Sequence, residues 1–352
     1  MKGLVLSGGK GTRLRPLTFT CAKQLIPVAN KPILGYVLDQ VSQTGITEVG
    51  VITAPETSNY VEEYVANGSK WGLKPTYIPQ EPLGLAHAII TAQSFLGNDS
   101  FVMCLGDNVI GQQISVFVEK FKKEKLDALI ILKEVDDPQR FGIAQLDKDG
   151  NIIKIVEKPQ VPMGNLAVIG TYIFSNNIHK ATKNLKPSKR GELEITDAIQ
   201  EMINMGFKVK AELLNSWWLD TGKKDDILSA NVTILDEYIK RDIKGTITNS
   251  TIAGRVKVEP TAKIINSKIR GPAIIGENVL IQDSFIGPYT SIGEQSKILK
   301  SNLEHCIILE NVTIQDIERL EDSLIGKNAK VTKNTKNRTI KLHIGDYSEV
   351  EV

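Results

Sequence analysis

Gly8, Gly9 and Gly11 interrupt the chain just after the apolar run Leu4-Val5-Leu6, and Thr12 and Arg13 follow at once. Glycines in such a turn leave backbone N–H groups uncovered, so the loop can surround a polyphosphate. Arg13 adds a permanent charge whose fork of donors matches phosphate oxygens. Lys23, ten residues beyond Arg13 and next to Gln24, supplies a second cation for the same anion. Asp107 closes an apolar run in Leu105-Gly106-Asp107-Asn108, and Asp220 closes another in Trp217-Trp218-Leu219-Asp220. Two carboxylates plus substrate phosphates can hold Mg²⁺, which takes one or two carboxylates and phosphate oxygens. Lys158, in Val156-Glu157-Lys158-Pro159, is a cation for a second phosphate. Together these residues suit a reaction between two phosphorylated substrates.

Each residue taken alone has an ordinary reading. The loop is equally compatible with a glycine-rich surface turn, Lys23 with an ordinary lysine, and Asp107 with a turn or helix cap. Their combination is what points to chemistry. Two familiar glycine loops do not fit. A dinucleotide fingerprint needs a third glycine where Leu14 stands, and a P-loop needs Ser or Thr where Gly11 follows Lys10. His87, His179, His305 and His343 show no metal-ligand spacing, and no Gly-x-Ser-x-Gly signature of acyl chemistry occurs. Cys21, Cys104 and Cys306 are far apart and odd in number, which gives no disulfide framework or zinc motif. Cys104 reads as core.

Something must hold these residues in place. The chain has 352 residues, 41% of them hydrophobic and 24% charged, enough for about two domains with a buried core. A net charge of +2, from 43 basic and 41 acidic residues, points away from nucleic acid and membrane partners, so anion binding must be local. The first residues lack the charged-then-apolar pattern of a signal peptide, and no run reaches membrane-spanning length, so the expected location is the cytoplasm.

Residues 1–240 alternate short apolar runs with helical patterns, which predicts a mainly parallel sheet flanked by helices. Strands are expected at Leu4–Leu6, Val49–Thr53, Lys74–Pro79, Phe101–Leu105, Ala128–Lys133, Val168–Phe174 and Val209–Glu212. Helices are expected at Leu34–Gln43, Asn59–Val65, Ala86–Gln93, Ser115–Lys123, Ile195–Met205 and Lys223–Lys240. In such a sheet ligands sit beyond the carboxyl ends of the strands, where the glycine loop and Asp107 both fall.

After about residue 245 the pattern changes. Ile252, Val258 and Ile264 lie six residues apart, and Ile269, Ile275 and Ile281 repeat the set 17 residues later. Ile286, Ile292 and Ile298 follow, then Leu303, Ile308 and Ile314, then Leu320, Ile325 and Val331. Small residues such as Val256, Ala262, Ala273, Val279, Thr290 and Ser296 sit at the fifth position of the hexads. This is three flat faces per coil, stacked over one apolar column, and it resembles a left-handed parallel β-helix built from hexapeptide repeats. Ile307–Arg319 is less regular and could hold a bulge. Thr339–Val352 reads as a terminal strand or cap. The division expected is 1–240 and 241–352.

Read together, the motifs closely resemble the sugar nucleotidylyltransferases, in the long form with a C-terminal hexapeptide domain. The resemblance covers residues 1–240. It rests on Gly8-Gly9-Lys10-Gly11-Thr12-Arg13-Leu14-Arg15-Pro16, Lys23-Gln24-Leu25, Gly84-Leu85-Ala86, Leu105-Gly106-Asp107-Asn108 and Glu157-Lys158-Pro159. Arg190-Gly191-Glu192-Leu193-Glu194-Ile195-Thr196-Asp197 and Trp218-Leu219-Asp220-Thr221-Gly222 complete it.

It implies a Rossmann-like catalytic domain with a mixed, mainly parallel sheet. It also implies thymidylyl transfer from dTTP to glucose 1-phosphate with Mg²⁺. UTP-dependent transfer to glucose 1-phosphate or N-acetylglucosamine 1-phosphate is the alternative, and an added acyltransferase activity of the β-helix is a more distant one. On this likeness Gly8, Gly11, Thr12 and Arg13 hold the triphosphate, Lys23 assists, and Gln24 lines the pocket. Gln80 and Gly84 read the base. Asp107 and Asp220 ligate the metal. Asn108, Gly142, Glu157 and Val168 hold the sugar, and Lys158 its phosphate. Phe141 departs from the pattern, since many relatives carry Tyr before the glycine. The flat faces of the β-helix suggest a homo-oligomer.

Overall fold

The structure, a computed structural model, describes residues 1–161, 163–333 and 347–348. Two compact units share the chain and interleave in sequence. The first takes Met1–Lys10, Cys21–Leu25 and Ile33–Asp220; the second takes Gly11–Thr20, Ile26–Pro32 and Thr221–Val352. This partition differs from a single cut at residue 240.

The first unit is built on a nine-stranded sheet. Lys2–Ser7 lies at its centre, parallel to Glu48–Thr53 on one side and to Phe101–Leu105 on the other. Leu4, Val5, Val51, Val102 and Met103 are fully buried, as the short apolar runs of a covered parallel sheet demand. Lys74–Pro79 extends the parallel half. All seven expected strands are present, and five expected helices appear as Ile33–Ser42, Ser58–Val65, Leu85–Thr91, Ile114–Glu124 and Ile195–Asn204.

The other half of the sheet is largely antiparallel, with Val209–Leu213 parallel to Ala128–Glu134. Leu166–Phe174 runs against Phe101–Leu105 and Ala128–Glu134, and Gly142–Leu146 pairs with Ile152–Glu157 as a hairpin. Asp147 shapes the hairpin turn by accepting the N–H groups of Asp149 and Asn151, each at 2.9 Å. A register shift falls between Val168 and Tyr172, around Gly170. A Cβ at Gly170 would stand 2.9 Å from Asn108 Cγ, so the glycine admits the Asn108 side chain.

In the second unit, three parallel sheets of six, six and five strands stack in register from Asp242 to Thr332. This fits the left-handed β-helix expected from the hexads. Inward Ile264, Ile269, Ile275, Ile281, Ile286, Ile292 and Ile298 are fully buried. The corners repeat a left-handed backbone at Asn249, Asn266, Asp283, Lys300 and Asp316, mostly the residue types that tolerate it.

One face carries a serine ladder that the aliphatic periodicity did not reveal. The hydroxyls of Ser250, Ser267 and Ser284 accept the N–H of Ser267, Ser284 and Ser301 in turn, at 2.9–3.1 Å. The irregular stretch Ile307–Arg319 is a register step. Ser291 pairs with Ile307, 16 residues on, and the 17-residue step returns at Leu303 and Leu320. The longer corner Asp316–Arg319 absorbs the difference. The terminal strand or cap expected over Thr339–Val352 lies outside the described residues, apart from Tyr347 and Ser348.

Asn231, on the helix Lys224–Tyr238, ties this unit together from a fully buried position. Its Oδ1 accepts the Ala29 N–H and the Ser291 hydroxyl, both at 2.8 Å, and its Nδ2 donates to the Tyr289 carbonyl at 3.0 Å. Asn30 adds a bond from Nδ2 to the Ile292 carbonyl at 2.7 Å. Asn231→Ala strands three buried groups, and each costs about 1–3 kcal/mol. The variant is expected to lose about 3–5 kcal/mol of stability. A urea titration checks this; a loss below about 1 kcal/mol would contradict it.

Candidate active site

The carboxyl ends of two neighbouring strands carry the chemistry of the first unit. Gly8 and Gly9 follow Lys2–Ser7, and Asp107 follows Phe101–Leu105. The Gly106 N–H donates to the Leu6 carbonyl at 2.8 Å, which holds the two strand ends together. A Cβ on Gly9 would lie 2.5 Å from Lys23 Cε, so this glycine is what lets Lys23 lie across the turn. Lys23 Nζ is ion-paired with Asp107 Oδ2. Asn108 Nδ2 donates to the other carboxylate oxygen of Asp107 at 3.1 Å, and Trp218 Nε1 donates to Asn108 Oδ1 at 2.7 Å.

Trp218–Asp220 pairs antiparallel with Asn108–Ile110, setting Asp220 opposite Asn108. The two candidate metal carboxylates therefore come from adjacent positions on a two-stranded ribbon. Among the described residues no group of three or more His, Cys, Asp or Glu gathers as a metal cluster. Burial alone would raise the Asp107 carboxyl, but the Lys23 ammonium, its hydrogen bond and that of Asn108 carry it below the usual range. Asp107 is therefore a carboxylate throughout the neutral range. Ser7 and Gln24 both lie against Gly106, and Ser7 Oγ and Gln24 Oε1 are buried without a protein partner among the described residues. Buried polar atoms of that kind mark a place where a polar ligand fits.

Gln80 and Gly84 stand together. Gln80 Nε2 donates to the Gly84 carbonyl at 3.1 Å and lies 3.1 Å from His87 Nδ1, which gives that histidine a structural partner. Gly84 has φ +109° and a Cβ there would reach 2.4 Å from the Leu193 carbonyl oxygen, so no other residue fits.

A second cluster gathers Gly142, Glu157, Lys158 and Val168. A Cβ on Gly142 would lie 3.1 Å from Glu157 Oε2 and 3.8 Å from Val168 Cβ. Glu157 accepts from Thr196 Oγ1 at 3.4 Å and from Arg190 Nη1 at 3.3 Å, with Lys158 Nζ at 3.7 Å. Phe141, the departure noted above, packs edge-on against Trp218 with centroids 5.1 Å apart. Arg190, Thr196, Trp218 and Ser7 received no role from the sequence. Arg190 and Thr196 do lie in the Arg190–Asp197 motif, which was the available signal.

Burial pushes the Glu157 carboxyl above its usual 4.5; Lys158 and Arg190 oppose this while Glu194 and Glu192 reinforce it. A raised acid lends the fold stability below pH 4.5 and withdraws it as pH climbs through the raised value. Glu157→Gln is therefore expected to melt higher than wild type at pH 7.5, with the gap closing toward pH 4. Thermal melts across that range test it; a gap that widens in acid would contradict the assignment.

Gly11, Thr12 and Arg13 belong to the second unit. Gly11 has φ +62°, and its carbonyl accepts the Leu14 N–H at 2.9 Å and the Thr18 hydroxyl at 2.7 Å. The Arg13 guanidinium lies against Gly222, where a Cβ would stand 3.0 Å from Nη2. No helix among the described residues is long and apolar enough to cross a membrane.

Residues 2–237 match the family described as nucleotidyl transferase, and residues 269–350 match the GMPPB C-terminal domain. The chain is 46% identical to a glucose-1-phosphate thymidylyltransferase of Streptomyces antibioticus, over 100% of this chain and 99% of the relative. A protein of the same name from Streptomyces griseus is 41% identical over the same shares. A Bacillus anthracis crystal structure assigned that activity, in complex with sucrose, is 36% identical with a TM-score of 0.64, covering 68% of this chain and 98% of its own.

Proposed function

Because the chain belongs to the nucleotidyl transferase family, we propose that it transfers a thymidylyl group from dTTP to α-D-glucose 1-phosphate, giving dTDP-glucose and pyrophosphate. The reading takes residues 1–240 as the catalytic domain and 241–352 as the β-helix domain, in a cytoplasmic homo-oligomer. The observation that carries it is the Lys23–Asp107 pair at the strand ends, with Asp220 paired opposite the neighbouring Asn108.

A sugar-phosphate oxygen is already anionic and needs no general base. The task is to bring two anions into line and to stabilise charge on the α-phosphate and the leaving pyrophosphate. That requires positioning and fixed cations, with little covalent work for the protein. Gly8, Gly11 and Thr12 offer the triphosphate backbone donors, and Arg13 and Lys23 offset its charge. Gln24 lines the same pocket, and Gln80 and Gly84 meet the pyrimidine. Asn108, Gly142, Glu157 and Val168 orient the sugar, and Lys158 meets its phosphate.

Asp107 and Asp220 would suit Mg²⁺ as a donor set, being two hard carboxylates of the kind that share this ion with phosphate oxygens. When bound, the ion supplies Lewis-acid stabilisation of phosphoryl charge.

Pyrophosphate release is measured with Mg²⁺ and glucose 1-phosphate, with dTTP against UTP, then with N-acetylglucosamine 1-phosphate. A preference for dTTP with glucose 1-phosphate is expected. Equal or better rates with UTP or the N-acetyl sugar would keep the chemistry and move the substrate, since one pyrimidine methyl is worth only about 1–3 kcal/mol. Release with no pair would overturn the reading.

A further inference from the structure

We infer that Tyr347, close to the C-terminus, is a positioning residue for the donor nucleotide, acting through Arg15 on the loop that carries Thr12 and Arg13. The inference rests on the proposed role of Arg13 at the triphosphate.

Gly11–Thr20 belongs to the same compact unit as the β-helix. The loop folds on itself as two 3-10 turns, Thr12–Leu14 and Leu17–Phe19. Leu14 is buried, the Arg15 N–H reaches the Thr12 carbonyl at 3.4 Å, and the Phe19 N–H reaches the Pro16 carbonyl at 3.1 Å. Arg13 and Arg15 therefore move as parts of one small rigid piece.

That piece is held from the C-terminal side at two points. Leu17 rests on the last described coil of the β-helix, where a Cβ at Gly326 would lie 3.1 Å from Leu17 Cδ2. The Arg15 guanidinium lies 4.9 Å from the Phe19 ring centroid and 5.5 Å from that of Tyr347. The two rings stand 6.0 Å apart, tilted by 48°. Phe19 and Tyr347 are both exposed, so no core packing accounts for this arrangement. The guanidinium thus lies over two neighbouring rings at once, and the quadrupoles of both attract it. Phe19 is local to the loop, whereas Tyr347 is more than 300 residues away in sequence, so its ring adds a long-range contact that restricts Arg15.

A loop held in advance costs less entropy when the nucleotide binds. Tyr347 touches Arg15 rather than substrate, so its loss is expected to weaken donor binding and leave the acceptor site unchanged.

The test uses the full-length protein, with pyrophosphate release followed while dTTP and glucose 1-phosphate are varied in turn. UTP replaces dTTP if it proves the better donor. Tyr347→Ala is expected to raise the donor KM about two- to fivefold, the worth of one exposed cation–π contact, at unchanged KM for the sugar phosphate. Tyr347→Phe keeps the ring and is expected to restore the wild-type value. Arg15→Ala is expected to raise the donor KM as well, and adding Tyr347→Ala to it to do nothing more. Both KM values rising together, neither rising, or no rescue by Tyr347→Phe would overturn the inference. A wild-type protein that releases no pyrophosphate with any pair would instead overturn the functional reading beneath it.

Discussion

Arg13→Ala is expected to fold like wild type and to lose about a hundredfold or more in turnover. The Arg13 side chain lies against Gly222, and the loop around it is set by the left-handed Gly11 and its hydrogen bonds to Leu14 and Thr18. The backbone bonds of Gly11 do not need the guanidinium, and what is lost is its contact with Gly222, so the melting temperature should barely change. What disappears is a fixed charge that the reading places on the departing pyrophosphate. A cation held where charge develops is worth more than one recruited from solvent, because no reorganisation is needed during the step. Arg13→Lys keeps the charge and loses the planar fork, so a partial recovery is expected. Pyrophosphate release at saturating substrates, beside a thermal melt, makes the comparison. Turnover within about threefold of wild type would remove Arg13 from the proposed machinery.

Asp107→Ala should be at least as severe in rate, and unlike Arg13→Ala it should also cost stability. Asp107 is buried, paired with Lys23 and hydrogen-bonded by Asn108. Its carboxyl is held below the usual range despite the opposing effect of burial. A depressed acid stabilises the fold above its unfolded pKa and loses that contribution as pH falls through the folded one. The stability gap between wild type and Asp107→Ala is therefore expected at neutral pH and should shrink in acid. Asp107→Asn separates the two effects, since it can still accept the Asn108 hydrogen bond while lacking the charge. An active Asp107→Ala would exclude a metal-holding role for this position.

Much of this was legible in the sequence because local rules apply to it. Short apolar runs ending in Gly8 or Gly106 must be covered strands with open turns. The 17-residue period from Ile252 onward can bury its isoleucines only by stacking coils. Other features have no local signature. The hairpin Gly142–Leu146 with Ile152–Glu157 turns part of the sheet antiparallel, and its turn signal, Asp147 to Gly150, competes with many other Asp and Gly positions. The serine ladder hides because Ser250, Ser267, Ser284 and Ser301 are polar, and the burial of the last three is tolerable only once each meets the neighbouring coil. Arg190 and Thr196 reach Glu157 across more than thirty residues of chain, which spacing does not disclose. The grouping of Gly11–Thr20 and Ile26–Pro32 with the C-terminal unit, on either side of Lys23, is likewise a product of tertiary contact.

The coil stack has a further consequence. Its inward residues are fully buried from Ile264 to Ile314, whereas Ile247 and Ile252 at one end, and Leu320, Ile325 and Val331 at the other, are only partly covered. Each coil touches only its neighbours, so its cohesion is a chain of nearest-neighbour terms. Opening therefore starts at the ends, and amide hydrogens there should exchange with solvent well before those of the middle coils. Among the described residues, the last coil is the one on which Leu17 rests. Fraying of that end and loosening of the Gly11–Thr20 segment then share one local equilibrium, and slow exchange in both would rise and fall together with temperature.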